Sequence, residues 1–153
     1  MGIGAPPATG FSRSAVEMIV TDYPASLAFW TEVLGFAVAY QRPVQKFAYL
    51  ERSEGAQVMI YERDGDWETG PFDLPLGRGV VIQVSVDDLA VVIHSVRAAP
   101  LPFFVEPRER WRDWGDRLGG QRECLVQAPD GYLVMVSERL RTRPLDVAPP
   151  SDA

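Results

Sequence analysis

The sequence predicts an α+β fold made of two tandem βαβββ units that together form a curved mixed sheet with a cleft. Three features predict it: an internal repeat, apolar residues at every second position, and an aspartate where each helix should begin. The repeat joins GAQVMIYER, residues 55–63, to GYLVMVSER, residues 131–139. Repetition of such a segment indicates that one supersecondary unit occurs twice.

The first unit is predicted over about residues 14–63. Its first strand contains alternating apolar residues, namely Val16, Met18 and Val20. Asp22 is a good helix N-cap and Pro24 suits a first helical turn, while Gly35 is a typical helix end. We expect three further strands, over residues 36–42, 46–52 and 57–62.

The second unit is predicted over about residues 80–139. Its first strand has apolar residues at Val80, Ile82, Val84 and Val86. Asp88 follows Asp22 by 66 positions and should cap a second helix with the apolar face Leu89, Val92, Ile93 and Val96. After Phe103 and Phe104 we expect a long loop that carries Trp111 and Trp114. Two strands then follow, over residues 122–127 and 132–138.

Composition limits both the domain organisation and the function. The 153 residues suit a single domain, predicted over residues 14–140, with a flexible N-terminal arm (1–13) and a flexible C-terminal tail (141–153). A net charge of −6 argues against a nucleic-acid partner and is compatible with a cationic ligand. No apolar run is long enough for a membrane span, and the first residues lack the apolar stretch of a secretory signal. The single cysteine favours a cytoplasmic location.

Short motifs at both helix starts and before the last strand carry a resemblance to a known family. They are Val20-Thr21-Asp22, Leu34-Gly35-Phe36, Val86-Asp87-Asp88 and Pro129-Asp130-Gly131-Tyr132. In this order they resemble the vicinal-oxygen-chelate superfamily, over about residues 14–140. That superfamily contains glyoxalases, extradiol dioxygenases, fosfomycin-resistance enzymes and bleomycin-resistance proteins.

The resemblance also places four positions at which metalloenzymes of this superfamily hold a divalent ion. Those enzymes use His, Gln or Glu on the first and last strand of each unit. The corresponding residues here are Ala15, Met59, Val81 and Met135. Such side chains do not suit a hard or borderline divalent metal. We therefore expect no metal and no cofactor, and a resemblance to the metal-free bleomycin-resistance branch.

That branch implies a homodimer whose clefts sequester a cationic, partly aromatic drug without altering it, so no catalytic residue is predicted. Aromatic faces and carboxylates are the groups that such a ligand requires. Glu17 is the candidate anchor for the cation and the two methionines are the candidate cleft floor. The predicted ligand-binding residues are Glu17, Tyr49, Gln57, Met59, Tyr61, Trp67, Gln83, Trp111, Trp114 and Met135.

Other interpretations of the same residues stay open. Glu17 could form a structural salt bridge or be satisfied by Gln83, or it could be the general base of a cofactor-free, lyase-like or isomerase-like enzyme. The chain could bind an ordinary metabolite and have no resistance role, or it could be a structural module without a ligand. The expected partners are thus a bleomycin-like small molecule and a second copy of the chain, with no nucleic acid and no membrane.

Overall fold

The fold is described by a computed structural model that covers residues 1–145, and it contains the two predicted βαβββ units. The first unit comprises β2 (Val16–Val20), α1 (Tyr23–Ala28), β3 (Ala37–Arg42), β4 (Phe47–Glu51) and β5 (Gln57–Glu62). The second comprises β6 (Val81–Ser85), α2 (Leu89–Ala98), β7 (Phe103–Asp113), β8 (Leu118–Gln127) and β9 (Leu133–Arg143). A two-residue strand, β1 (Ile3–Gly4), precedes them. The prediction of an α+β fold with two repeated units is confirmed.

Each unit forms its own mixed sheet, so the described chain contains two sheets. Their strand orders are β1-β3-β4-β5-β2 and β6-β9-β8-β7. In both, the first and last strands of the unit pair in parallel. The helix carries the chain from the first strand to the second strand, which lies on the other side of the sheet. Apart from β1, the two sheets have the same topology, as a duplicated unit requires.

The predicted caps and helix faces are confirmed. The Asp22 carboxylate accepts a hydrogen bond from the Ala25 N–H at 2.9 Å, and Asp88 accepts one from the Ala90 N–H at 2.8 Å. Helix α1 continues into a π-helical turn, Phe29–Val33, before Gly35 takes a φ of +72° and ends it. The buried face of α2 consists of Leu89, Val92, Ile93 and Val96.

One hydrophobic core is shared by both units, because each helix covers one face of its sheet. Trp30, Met18 and Ile60 from the first unit and Val84 and Val136 from the second belong to the same buried cluster. The alternation predicts this face except at the strand starts. Val16 and Val80 are 43% and 54% exposed, and both line a groove between the two sheets.

The predicted long loop around Trp111 and Trp114 is wrong. Strand β7 extends to Asp113 and pairs with β8, with register shifts between Phe103 and Arg108. The two strands are joined by a tight turn, closed by the Trp114 N–H donating to the Arg117 carbonyl at 2.9 Å. Frequent arginine and glutamate residues hide the strand periodicity in the sequence. They occupy opposing positions on two strands, so the segment is a charged hairpin.

The described terminal residues make specific contacts with the two sheets. Ile3 and Gly4 pair with β3, and the arm continues across the first sheet through hydrogen bonds to Glu51 and Gln57. Strand β9 includes residues 141–143, while the predicted tail from residue 146 onward lies outside the described residues. No helix within residues 1–145 is long and apolar enough to cross a membrane.

The two units are joined by polar contacts as well as by the core. The buried Asp130 carboxylate accepts hydrogen bonds from the N–H and hydroxyl of Thr21 and from the hydroxyl of Ser26, at the start of the first helix. The Tyr132 hydroxyl donates to the Ile19 carbonyl at 2.8 Å, and burial raises its pKa, which keeps that donor protonated. Gly131 has a φ of +97°, a conformation that favours glycine in this turn.

A second polar link between the two units is an ion pair close to the start of helix α2. Arg52 donates to Glu54 at 2.8 Å and also to the Leu34 carbonyl at the end of the π-helical turn. The side-chain hydrogen bond from Arg52 is the main reason that the pKa of Glu54 falls to about 2. The ionised Glu54 also accepts a hydrogen bond from the Asp87 N–H of the second unit at 3.4 Å.

We predict that Asp130→Ala lowers the free energy of unfolding by about 2–4 kcal/mol, because buried donors at the unit junction lose their acceptor. Urea denaturation at neutral pH measures this loss. The matched control is Asp116→Ala, since Asp116 is an exposed hairpin residue that pairs with its neighbour Arg117. The control should unfold like the unmodified protein. Equal stability of the two variants would contradict the role of Asp130 as a junction between units.

Candidate functional site

The face of the first sheet that points away from the helices contains five of the predicted site residues. Strand register aligns Glu17 with Met59, Met59 with Tyr49, and Tyr49 with Tyr40. The adjacent row contains Ile19, Tyr61, Phe47 and Arg42. Gln57 precedes Met59 by two positions and shares its face. The structure therefore brings Glu17, Tyr49, Gln57, Met59 and Tyr61 together on one aromatic surface.

A pocket of about 210 Å³ lies at the Glu17 side of this surface. Its lining residues are Glu17, Arg42, Gln45, Tyr61, Asp66 and Trp67. The rings of Tyr61 and Trp67 form two walls, with centroids 6.4 Å apart and planes inclined by 43°. Trp67 is 74% exposed, so most of its indole surface is open to solvent. Three of the predicted residues, Glu17, Tyr61 and Trp67, thus share one cavity.

The Glu17 carboxylate is half-buried, and within residues 1–145 it has no hydrogen-bond or ion-pair partner. The structural salt bridge that was one alternative for Glu17 is therefore not present in the described chain. Arg42 lines the same pocket, but its guanidinium lies 3.8 Å from the centroid of the Phe47 ring and stacks on it. A carboxylate that is partly removed from water and unpaired favours the approach of a cation.

The acidic segment 62–73 contributes one further free carboxylate to the pocket. Glu62 pairs with Lys46, Glu68 pairs with Arg63 at 2.7 Å, and Asp64 accepts from the Tyr61 hydroxyl. The side chain of Asp66 has no such partner in the described part of the chain. With Glu17 and Asp66 against Arg42, the lining has one negative charge more than it has positive charges.

Two hydrogen bonds engage the Glu62 carboxylate beside the pocket. The hydrogen bond from Lys46 is the largest cause of its lowered pKa, and the Tyr23 N–H adds to it with a hydrogen bond of 3.0 Å. Glu62 therefore anchors the start of helix α1 to the end of β5. It is a structural residue next to the pocket and does not supply a free charge.

The far end of the aromatic surface is covered by the N-terminal arm. The Phe11 ring meets Tyr49 edge-on at 5.5 Å and Tyr40 at 6.4 Å, while Tyr40 and Tyr49 stack on each other at 5.2 Å. Gln57 accepts from the Ser12 N–H at 2.8 Å and from the Tyr49 hydroxyl. Tyr49 is only 4% exposed as a result. Two predicted binding residues, Tyr49 and Gln57, are thus occupied by the chain itself.

The remaining predicted residues belong to the second sheet and do not join the Glu17 pocket. Gln83 aligns with Met135, as Glu17 does with Met59 in the first sheet. Gln83 lines a groove of about 320 Å³ between the two sheets. It makes no contact that satisfies Glu17 within the described residues, so the proposed pairing of these two side chains is not observed.

Trp111 and Trp114 lie on opposite faces of the β7–β8 hairpin. Trp111 packs over Gly120, on the face that also contains the core residue Cys124, and Arg143 stacks on its ring at 3.8 Å. Trp114 packs over Gly119, on the other face. A single stacking wall made by both indoles is therefore excluded by the alternation of the strand.

The second sheet also differs from the first in charge. Glu123 is completely buried, and it accepts from Arg108 at 3.2 Å and from Arg112 at 2.7 Å. Gln121 accepts a further hydrogen bond from Arg112 at 2.9 Å. Two guanidinium groups against one carboxylate leave this surface basic. A cationic ligand would consequently favour the first sheet.

Three residues that line the pocket, and Phe11 on the adjacent aromatic surface, were not predicted from the sequence. Gln45 and Arg42 lie around a short 3₁₀ turn, Pro43–Gln45, and Asp66 lies in the loop after β5. Phe11 lies in the arm. Only two of them had a sequence signal: Phe11 is the sole aromatic residue of segment 1–13, and Asp66 directly precedes Trp67.

The four positions at which the resemblance places metal ligands carry side chains that do not suit a divalent ion. Ala15 and Val81 line the groove between the sheets, while Met59 and Met135 lie on the two sheet faces. Neither apolar side chains nor thioethers suit a hard divalent ion. Within residues 1–145 no three His, Cys, Asp or Glu side chains are close enough together to hold a metal. His94 is exposed on helix α2.

Comparisons with known proteins establish the family. The model of the Glyoxalase/Bleomycin resistance protein/Dioxygenase superfamily matches residues 13–136, and the chain belongs to this superfamily. Among curated proteins there is no match.

Solved structures share the fold at low sequence identity. TioX from Micromonospora sp. ML1 is 21% identical, with a TM-score of 0.62 and coverage of 85% of this chain and 100% of TioX. Virulence protein STM3117 from Salmonella typhimurium is 18% identical, with a TM-score of 0.62 and coverage of 85% and 98%. A superfamily member from Alicyclobacillus acidocaldarius is 13% identical, with a TM-score of 0.57 and coverage of 84% and 91%.

We predict that the purified protein contains no stoichiometric divalent metal, because the donor set at the four family positions is unsuitable. Inductively coupled plasma mass spectrometry after dialysis against Zn²⁺, Mn²⁺ or Ni²⁺ measures the content. The double variant Met59→Glu/Met135→Glu is the comparison, since it restores a carboxylate on each last strand. One bound ion per chain in the unmodified protein would contradict the prediction.

Proposed function

We propose that the protein binds, without altering it, a small organic molecule that has a cationic group and a flat aromatic group. The observation that supports this most directly is the Glu17 pocket. There a half-buried, unpaired carboxylate and the free carboxylate of Asp66 lie beside the rings of Tyr61 and Trp67. Carboxylates attract the cation, and the exposed indole face offers stacking and cation–π contact.

Bleomycin is the named case of this ligand class. The superfamily includes bleomycin-resistance proteins, and bleomycin combines a positive tail with planar bithiazole rings. Resistance would follow from sequestration of the drug in the cytoplasm, the location that the single cysteine favours. An ordinary metabolite with the same two groups would satisfy the same pocket, so the proposal specifies ligand chemistry first and the drug second.

The expected result is that metal-free bleomycin binds at micromolar Kd or tighter in a calorimetric titration, near one drug per chain. Glu17→Gln should weaken binding about 10-fold to 100-fold, because a charge-assisted contact is lost. Trp67→Ala should weaken it about 3-fold to 10-fold and remove most of the tryptophan fluorescence change.

Two matched variants control for non-specific effects in that titration. Glu32→Gln removes an exposed carboxylate from the π-helical turn, and Trp114→Ala removes an indole that is 43% exposed on the hairpin. Both should bind the drug like the unmodified protein. Absence of heat and of fluorescence change at high micromolar protein would contradict the bleomycin proposal. Equal losses of binding affinity in the Trp67 and Trp114 variants would contradict the assignment of the binding site to the Glu17 pocket.

A second candidate function is cofactor-free catalysis with Glu17 as general base. It is favoured by the same free carboxylate, which is open to the pocket and has no partner in the described chain. If the protein converts a bound ligand, Glu17→Gln should abolish conversion while binding persists. Chromatography of the ligand after incubation separates the two candidates: an unchanged ligand supports sequestration.

We also propose that the protein is a homodimer, as the resemblance to the bleomycin-resistance branch implies. The Glu17 end of the first-sheet surface, which the N-terminal arm does not cover, is open on the side away from the helices, where a second copy would complete the wall around a ligand. Light scattering coupled to size-exclusion chromatography should give twice the chain mass. A mass equal to one chain at micromolar concentration would overturn this part of the proposal.

A further inference from the structure

The N-terminal arm contacts the first-sheet surface mainly through the groups on either side of Phe11. The Gln57 side-chain amide accepts from the Ser12 N–H at 2.8 Å and donates to the Gly10 carbonyl. Its NH₂ group also donates to the Thr9 hydroxyl at 3.0 Å. Gln57 thus binds the two peptide groups that flank one aromatic residue.

The ring of Phe11 completes the contact. It stands perpendicular to Tyr49, with an interplanar angle of 88°, and at 76° to Tyr40. These edge-to-face arrangements are the favoured geometry of aromatic pairs. Tyr40 and Tyr49 are stacked with planes 16° apart, so they present one continuous platform. The platform and Gln57 together bind an aromatic group and its adjacent amides.

The arm is held less firmly than a strand in this region. Thr9, Phe11 and Ser12 are exposed, and Phe11 itself is 60% exposed. Their hydrogen bonds go to side chains of the sheet and not to its backbone. Exposed side-chain contacts of this type contribute little stability each, so another molecule can compete for them.

The same platform is continuous with the Glu17 pocket. Glu17, Met59 and Tyr49 occupy one row across three neighbouring strands. Two interstrand spacings place the Tyr49 backbone about 10 Å from that of Glu17. A molecule of moderate size can therefore reach from the carboxylate to the tyrosine platform.

We infer that Tyr40, Tyr49 and Gln57 form a ligand subsite for an aromatic group flanked by an amide carbonyl and an amide N–H, and that Phe11 occupies it until a ligand displaces the arm. This inference rests on the proposed function and names its substrate class. The ligand is a peptide-like aromatic amide whose cationic group lies far enough from the ring to reach Glu17, two strands away. The arm then acts as an internal competitor for one end of the cleft.

The test uses N-acetyl-L-phenylalanine amide as a probe of this subsite, with N-acetyl-L-alanine amide as the ring-free comparison. Binding to the full chain is measured by saturation-transfer NMR titration. Phe11→Ala should bind the phenylalanine amide about 3-fold to 10-fold more tightly than the unmodified protein, because the competing ring is absent. The alanine amide should show no such gain. Adding Gln57→Ala to Phe11→Ala should reverse the gain.

The matched control is Phe104→Ala, since Phe104 is 59% exposed on strand β7 of the second sheet, almost the same as Phe11. It should bind both amides like the unmodified protein. The inference is overturned if Phe11→Ala leaves the affinity for the phenylalanine amide unchanged or lower, if the alanine amide gains equally, or if neither amide binds at all.

A parallel titration with metal-free bleomycin separates this inference from the proposed function. A gain for the phenylalanine amide in Phe11→Ala supports the subsite even where bleomycin fails to bind. Bleomycin binding that depends on Glu17 and Trp67, with no gain for the amide in Phe11→Ala, overturns the subsite and leaves the proposed function standing.

Discussion

The buried carboxylate of Asp130 fixes how the two halves of this protein face each other. It belongs to the turn before the last strand of the second unit, yet its three hydrogen bonds go to Thr21 and Ser26 at the first helix start. Water cannot replace these bonds at a site that is 3% exposed, so the junction has one favoured geometry. The groove between the sheets and the orientation of the Glu17 surface both follow from that geometry.

The sequence carried enough information for the repeated architecture because several local signals agreed with one another. Aspartate caps, a terminating glycine and alternating valines each indicated the same elements, and all of them depend on neighbouring residues alone. The β7–β8 hairpin escaped prediction for a physical reason. Strand β7 carries charged residues at consecutive positions from Arg108 to Arg110, and its register shifts between Phe103 and Arg108, so no apolar alternation marks it in the sequence.

The candidate site could be predicted only where strands supply it. Glu17, Met59 and Tyr61 share a face by strand alternation and parallel pairing, which the sequence pattern indicates. Asp66 and Gln45 reach the pocket from loops, and Phe11 reaches the platform from the arm. The paths of loops and the packing of the arm on the sheet depend on contacts between residues distant in the chain. Such contacts produce no periodic pattern in the sequence. The separation of free carboxylates on one sheet from arginines on the other is likewise visible only after folding.

Strand alternation has an evolutionary consequence for a duplicated domain of this type. In β5, Val58 and Ile60 face the helix and are buried, whereas Gln57, Met59 and Tyr61 face the cleft. Selection for a new ligand can therefore replace every second residue without creating a cavity in the shared core. The two copies keep valine at Val58 and Val134 and methionine at Met59 and Met135, whereas they differ at Tyr61 and Ser137. Within one strand, residues that maintain the core therefore alternate with residues that can change to suit a new ligand.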